Sequence, residues 1–423
     1  MGYTGIGERT ALLKASRQLN VNNPSELRQA HKWIMETSRF QNRIDWFISQ
    51  MIPEDILRDV PHGIRNLLRI MGYMKYIDAQ TQASLARIAS QGRQVIGWQE
   101  LRPYEEPIAR IASSTEKPST SHLPDIERLS YETCHPSWFV ERLVKAFGRT
   151  MALRILRRNL SPVSTYARVN DLIADPRTST EGLGGSRVEN LENVYVLNRG
   201  AKGDSRAKLA GSGRLVIQDL GSIMAGLVAS PKPGQAVLDI CASPGNKTSH
   251  LAAQMGNEGE ICSVELSSAR ASQWRREMTR TGCSIAALVQ ADARKLPLHI
   301  EADVALVDPP CSNSGVFARN PASKWRVTPA RVKELTTIQR QILEETSGRL
   351  TAGGTLVYCT CSILPEENEL VVEGFLKKHP EFTLIPQTPI LGEPGLRGLV
   401  NCQRFYSHLH DCNGYFIAKM RKD

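Results

Sequence analysis

From residue 231 onward the chain alternates short apolar runs with segments of helical length, and this alternation is its strongest constraint on fold. "AVLDICA", "EICSVE", "SIAALVQAD", "DVALVDPP" and "GTLVYCTCS" read as buried strands. "SARASQWRREMTRTG" and "TPARVKELTTIQRQILEETSGRL" read as helices. Thr328 is placed to cap the second, Pro329 suits its first turn, and Gly353 and Gly354 follow its end. Elements alternating at these lengths imply an α/β fold with a doubly wound, mostly parallel sheet. Ligands of such sheets lie beyond the carboxyl ends of the strands, so the chemistry is expected at that edge.

The first run opens into "DICASPGNKTSH". A Pro-Gly turn entering a helix offers free backbone N–H groups and the positive end of a helix dipole, which suit a ligand carboxylate. Cys241, Ala242, Ser243, Pro244, Gly245, Asn246 and Lys247 form this candidate cofactor cradle, with Cys241 expected only to pack there. An ordinary strand-to-helix turn is the alternative. The GxGxxG fingerprint is absent, which argues against NAD. The next three strands end on acids: Glu265, Asp292 and Asp308. Glu265 is placed to accept hydrogen bonds from the two hydroxyls of a ribose, and Asp292 to meet an adenine or amino group. Three acidic ends in succession point to a nucleoside-bearing cofactor, and cationic S-adenosylmethionine fits.

Two cysteines share that edge. Cys311 follows Asp308-Pro309-Pro310, and Cys361 ends the fifth strand, so adjacent parallel strands would bring both over one pocket. Cys262, Cys283 and Cys359 read as small buried hydrophobes. Nine scattered cysteines make no disulfide framework and no CxxC pair, so no metal is expected.

"DICASPGNKT", "DPPCSNSG", "YCTCSILPEENE" and "HDCNGYFIAKMRK" together resemble, in order and spacing, the motifs of the RsmB/Nop/Sun family of RNA (cytosine-5-)methyltransferases. The likeness covers about residues 125–423. It implies a Rossmann-like class I methyltransferase domain, S-adenosylmethionine as cofactor, and methylation of C5 of cytosine in RNA. In the family the TCS cysteine attacks C6 and the PPC cysteine assists release, which makes Cys361 the nucleophile and Cys311 the release cysteine. Asp308 becomes the group beside the ring's N3. DNA cytosine-5 methyltransferases attack with the PC-motif cysteine and would not need Cys361, so both thiols together favour RNA. "TYARVN" and "IQDLGSIMAGL" resemble the family's RNA-recognition-motif-like subdomain, and residues 1 to about 110 resemble the all-α NusB-like domain of the RsmB branch. Two departures stand out. Ser243 and Asn246 replace the usual Ala and Gly of the cofactor loop, Asn being tolerant of positive φ. Asn413-Gly414-Tyr415-Phe416 stands where the family has a sequence ending DGFF.

The expected organisation is a helical domain at 1–111, a linker at 112–124, the small α+β subdomain at 125–230 and the catalytic domain at 231–423. In "VPHGIRNLLRIMGYMKYI", Ile64, Leu67, Leu68, Met71 and Met74 make one helical apolar stripe, with the methionines as core filler. A formal net charge of +10 and the cluster Arg154, Arg157 and Arg158 suit either a solvated face or a structured RNA, ribosomal or transfer. No apolar run approaches the length of a membrane span, and no hydrophobic signal core is present, so a cytoplasmic, monomeric protein is expected. The reading from a different class is an RNA-binding assembly factor that keeps the fold but makes little use of catalysis.

Overall fold

The computed structural model describes residues 8–173, 183–198, 204–297 and 300–423. Contacts divide it into two compact units, Met1–Leu160 with Asn320–Arg326, and Ser161–Arg319 with Val327–Asp423.

The first unit is helical. Ile64, Leu67, Leu68, Met71 and Met74 lie on the helix His62–Tyr76 and are buried with Ile44, Phe47, Leu85, Leu101 and Ile111 in one core. Gly72 lets the helix Gln41–Ser49 approach, because a Cβ there would come 2.8 Å from Ile44 Cγ2. The helices Asp125–Thr133 and Ser137–Arg158 belong to this unit as well. Trp46 stacks on Tyr131 with ring centroids 5.0 Å apart, and Asn42 Nδ2 donates to Ser130 O at 2.9 Å. The division between units therefore falls at Leu160 rather than at 112–124, and the stretch 125–230 is split. A polar, Pro- and Ser-rich stretch reports that a segment is a surface loop. It carries no information about which core the helix after it joins.

Asn320–Arg326 completes the helical unit. Lys324 Nζ donates to Arg39 O at 2.8 Å and Trp325 Nε1 to Ser38 O at 2.6 Å. Lys324 is fully buried, and that burial brings its ammonium down to about 7.

The second unit holds two sheets. Four antiparallel strands, β1 (Thr165–Val169), β2 (Gly185–Arg187), β3 (Val194–Leu197) and β4 (Leu215–Ile217), pair in the order β2-β3-β1-β4. The larger sheet contains β5 (Ala236–Ile240), β6 (Glu260–Val264), β7 (Ala286–Val289), β8 (Ala302–Val307), β9 (Leu350–Thr360), β10 (Phe382–Leu384), β11 (Glu393–Pro394), β12 (Gln403–Phe405) and β13 (Tyr415–Lys422). Its order is β11-β12-β13-β9-β8-β5-β6-β7, with β10 on β13. β9, β8, β5, β6 and β7 run parallel, and β13 pairs antiparallel to β9. The five sequence-read strands are these parallel ones, so the doubly wound sheet is present with an antiparallel extension.

Alternation along the strands sends successive residues into two cores. Val304, Leu306, Val357 and Cys359 pack on one face beneath the helix Leu220–Ala229. Ala305, Val307, Leu356 and Tyr358 pack on the other with Ile342 and Leu343 of the helix Pro329–Ser347. Thr328 caps that helix by accepting from Arg331 N, as the sequence suggested. Its end lies earlier than expected, at Ser347, and Gly353 and Gly354 sit inside β9 where the register with β8 shifts. Glycines inside a strand commonly mark such a bulge.

Candidate active site

The order of the larger sheet reverses at β5: β6 and β7 lie to one side, β8 and β9 to the other. The crevice beyond the carboxyl ends of β5 and β8 is the switch point where ligands of such sheets bind. Two groups meet there. Lys247, in the first turn of the helix Asn246–Gln254 after β5, pairs with Asp308 just past β8, Nζ to Oδ2 at 2.6 Å. Burial is the largest influence on Lys247 and opposes its charge, but Asp308, Cys359 and Asp239 together hold the ammonium well above its usual range.

The turn before Lys247 is built for close approach. Gly245 has φ +110, and a Cβ on it would meet Met278 Cε at 2.7 Å. The other positive φ in the turn falls on Cys241, whereas Asn246 begins the helix. The tolerance of Asn for positive φ is thus not called upon. Ser243 Oγ donates to Arg270 O at 2.7 Å, so the serine that replaces the usual alanine ties the cradle to the next helix, Ser268–Thr281. Cys241 is partly buried against the sheet core.

Glu265 directly follows β6 and is 5% exposed. Its Oε1 accepts from Ser267 N at 3.0 Å. Arg270 Nε lies 3.2 Å from Oε2, yet Oε2 receives no hydrogen bond. A buried carboxylate oxygen left this way is costly unless a partner arrives, which is the fit expected of a residue that holds a polyhydroxyl ligand. Asp292 differs. β7 ends at Val289, and the Asp292 carboxylate is already engaged by Arg294, whose Nη2 lies 2.6 Å from Oδ2.

The two thiols meet. Cys311 Sγ and Cys361 Sγ are 3.3 Å apart, both free, and Cys361 Sγ donates to Asn313 Oδ1 at 2.9 Å. The hydrogen bond to Cys361 and then burial push the Cys311 thiol well above the usual cysteine range. Gly315 N donates to Cys361 O at 2.9 Å and Gly414 N to Gly315 O at 2.8 Å, which stitches three loops together. A Cβ on Gly315 would stand 2.1 Å from Gly414 O.

Sequence reasoning missed several groups around these residues. Asp239 on β5 is buried, accepts from Thr248 Oγ1 at 2.6 Å, and is raised by that burial to about 6. Arg168 on β1 is buried too, and its Nη2 donates to Ser249 Oγ at 2.6 Å and Asn246 O at 3.2 Å, so the small sheet clamps the cradle helix. The signal for both was a charge within an apolar strand. Asn313 and Glu367 left no such mark, because each lies in a polar loop.

Comparison with known proteins places the chain. A family model described as 16S rRNA methyltransferase RsmB/F matches residues 226–421. A probable ribosomal RNA small subunit methyltransferase B of Bacillus subtilis is 30% identical, over 90% of this chain and 88% of the relative. This chain belongs to the RsmB/F methyltransferase family. A tRNA (cytosine(72)-C(5))-methyltransferase of Pyrococcus horikoshii is 34% identical over 59% of this chain and 66% of its own length. The crystal structure of PH0851 superposes with TM-score 0.82 at 27% identity, covering 97% of this chain and 93% of that one. NSun6 from Pyrococcus horikoshii, crystallised with the S-adenosylmethionine analogue SFG, has TM-score 0.62 at 26% identity, over 68% of this chain and 98% of that one. The larger sheet is accordingly the Rossmann-like α/β sheet of a class I methyltransferase, and S-adenosylmethionine is the cofactor of the family.

Proposed function

We propose that the chain methylates C5 of a cytosine in structured RNA, with small-subunit ribosomal RNA as the substrate class and transfer RNA as the alternative. The reading is carried by two free thiols 3.3 Å apart at the ligand edge of the sheet. The B. subtilis ribosomal RNA relative matches across 90% of the chain while the transfer RNA enzyme matches 59%, which favours the ribosomal substrate.

C5 of cytosine is a poor carbon nucleophile. Attack by the Cys361 thiolate forms an S–C6 bond and shifts the C5–C6 π pair so that C5 becomes enamine-like. Asp308, held by Lys247, is the group for the N3 edge of the ring, where it supplies a proton or hydrogen bond as charge develops. Bound S-adenosylmethionine supplies an electrophilic methyl group, with Glu265 on its ribose, Asp292 towards its adenine side and the 241–247 turn on its amino acid part. Cys311 then assists release: its thiolate takes the C5 proton, the C5–H pair re-forms the C5–C6 double bond, and the S–C6 pair returns to Cys361. The target base must leave its stack for C6 to be reached. Residues 1–230, with Arg154, Arg157 and Arg158, supply the grip on RNA through phosphates and shape.

The test is the pattern of covalent adducts. With RNA and S-adenosylmethionine, Cys311→Ala should accumulate a protein–RNA adduct that survives denaturing electrophoresis, and Cys361→Ala should form none and transfer no labelled methyl. The reverse pattern overturns the assignment of the thiols. A folded protein that transfers no methyl to ribosomal or transfer RNA returns the reading to an RNA-binding assembly factor.

A further inference from the structure

Beneath the two thiols lies a carboxylate that the proposed reaction does not use. Glu367 follows β9 by seven residues, and its side chain is fully buried. Its Oε1 accepts from Ser312 N at 2.8 Å and from Gln339 Nε2 at 3.0 Å. Its Oε2 accepts from Ser312 Oγ at 2.5 Å and Ser362 Oγ at 2.6 Å. No cation pairs with it among the described residues. A charge buried without a counter-ion is expensive, and four hydrogen bonds from neutral donors are what make it tolerable. Stability alone gives little reason to retain such a group, since apolar side chains of similar volume usually serve a core as well.

The donors explain its placement. Ser312 is the residue after Cys311, and Ser362 is the residue after Cys361. One carboxylate therefore grips both cysteine loops at equivalent positions, each loop following one of two adjacent parallel strands. Gln339 Nε2 also donates to Pro310 O at 3.0 Å, which fixes the first loop from the side of the helix Pro329–Ser347. Tyr358 OH donates to Glu367 O at 2.7 Å, so the backbone that carries the carboxylate is anchored too. Ser314 Oγ joins Ser362 Oγ at 2.8 Å and receives Ile363 N at 3.0 Å, which closes the network.

We propose that Glu367 is a positioning residue, whose buried carboxylate sets the separation and orientation of Cys311 and Cys361 by holding Ser312 and Ser362 at once. It touches neither thiol through a hydrogen bond, and it acts through the two serines. Its negative charge has a second effect at this range: it disfavours a thiolate on Cys311, adding to what the Cys361 hydrogen bond and burial already do. The proposal rests on the reading that both thiols serve one reaction, but its test does not need that reaction.

Glu367→Gln is the informative variant. The carboxamide keeps one oxygen for Ser312 N and Gln339, and its NH2 can donate to the two serine hydroxyls, which turn to accept. Geometry is largely kept while the charge is removed. The first readout needs neither RNA nor cofactor: alkylation of Cys311 by iodoacetamide is followed by peptide mass spectrometry across a pH series. Loss of the carboxylate should move the Cys311 profile to lower pH. This readout reports the charge of Glu367 alone, apart from its grip on the loops.

The second readout is geometric. Diamide takes two electrons and two protons from the thiols, its N=N bond becoming a hydrazine while one S–S bond forms. In the wild-type protein the sulfurs, 3.3 Å apart, need to close only to about 2.05 Å. Ser362→Ala, which frees one loop from the carboxylate, should slow this disulfide by about tenfold, because proximity is what accelerates it. In methyl transfer Ser362→Ala should lose about tenfold in kcat with the KM for RNA within about twofold of wild type, and Glu367→Gln, which keeps the geometry, should lose less. An unchanged disulfide rate in Ser362→Ala overturns the proposal, and an unmoved Cys311 alkylation profile in folded Glu367→Gln overturns the charge effect ascribed to Glu367. If Glu367→Gln does not fold, Ser362→Ala decides it alone. Absence of methyl transfer in the wild type would count against the proposed function and leave both thiol measurements standing.

Discussion

Glu265 offers the most direct test of how the cofactor is held. The residue is 5% exposed and spends only Oε1 within the protein, on Ser267 N at 3.0 Å. Oε2 receives no hydrogen bond, although the Arg270 guanidinium stands 3.2 Å away. Arg270 is half-exposed, so solvent screens much of its charge and it does not replace a hydrogen bond. Glu265→Ala removes a charged acceptor from the bound state, a loss of about 1.5–3 kcal/mol. At about 1.4 kcal/mol per decade this weakens S-adenosylmethionine by roughly 10- to 150-fold. The substitution also strips Ser267 N of its acceptor at the start of the helix Ser268–Thr281, but that loss is common to the free and bound protein and cancels in Kd. Glu265→Gln keeps an acceptor for Ser267 N but puts an NH2 donor where Oε2 stood, so it too should weaken binding, by less than Glu265→Ala because an NH2 can still donate to a ribose oxygen. Isothermal titration calorimetry of the wild type and both variants decides the matter. A Kd for Glu265→Ala equal to that of the wild type would refute the reasoning.

Two further predictions concern buried charge. Arg404 and Glu369 are 1% and 0% exposed in their side chains, with Nε to Oε1 at 2.6 Å, and Arg404 Nη1 also donates to Ile363 O at 3.2 Å. Arg404→Leu should destabilise the protein by about 3–5 kcal/mol, because it strands a buried carboxylate; denaturant midpoints within experimental scatter of wild type would contradict this. Lys324 is held near pKa 7 by burial, with Arg39 adding to the effect and Cys134 and Glu36 opposing it. An unfolded lysine titrates near 10.4, so the folded state binds fewer protons between those values. The stability of wild type relative to Lys324→Met should therefore rise as pH increases from 7 to 9, a window in which buried Cys134, raised to about 11, stays protonated. Denaturation followed by tryptophan fluorescence suits the measurement, since Trp33, Trp46, Trp98, Trp138 and Trp325 all lie in the helical unit. A difference that does not change with pH would rule out a neutral Lys324.

What the sequence determined by itself was local and periodic. Five apolar runs became β5 to β9, and the stripe from Ile64 to Met74 became a buried helix face, because burial on one face imposes a period that survives in the order of residues. Glu265, Asp308, Cys311 and Cys361 could be placed at the carboxyl edge of the sheet for the same reason, since an apolar run stops where its strand does, whereas Asp292 lies three residues past the end of β7. What only the tertiary structure decided was which distant groups meet. "PEENE" holds three glutamates, and nothing in its composition tells that Glu367 turns under the cysteines while Glu369 turns towards Arg404 and Glu366 stays partly exposed. Asp125–Thr133 joins the helical core because Tyr131 finds Trp46, a contact between residues 85 positions apart. The thiols of Cys311 and Cys361 come within 3.3 Å only because β8 and β9 are neighbours in the sheet. Strand order and helix docking are set by the total burial of the folded chain, a quantity that no window of sequence contains.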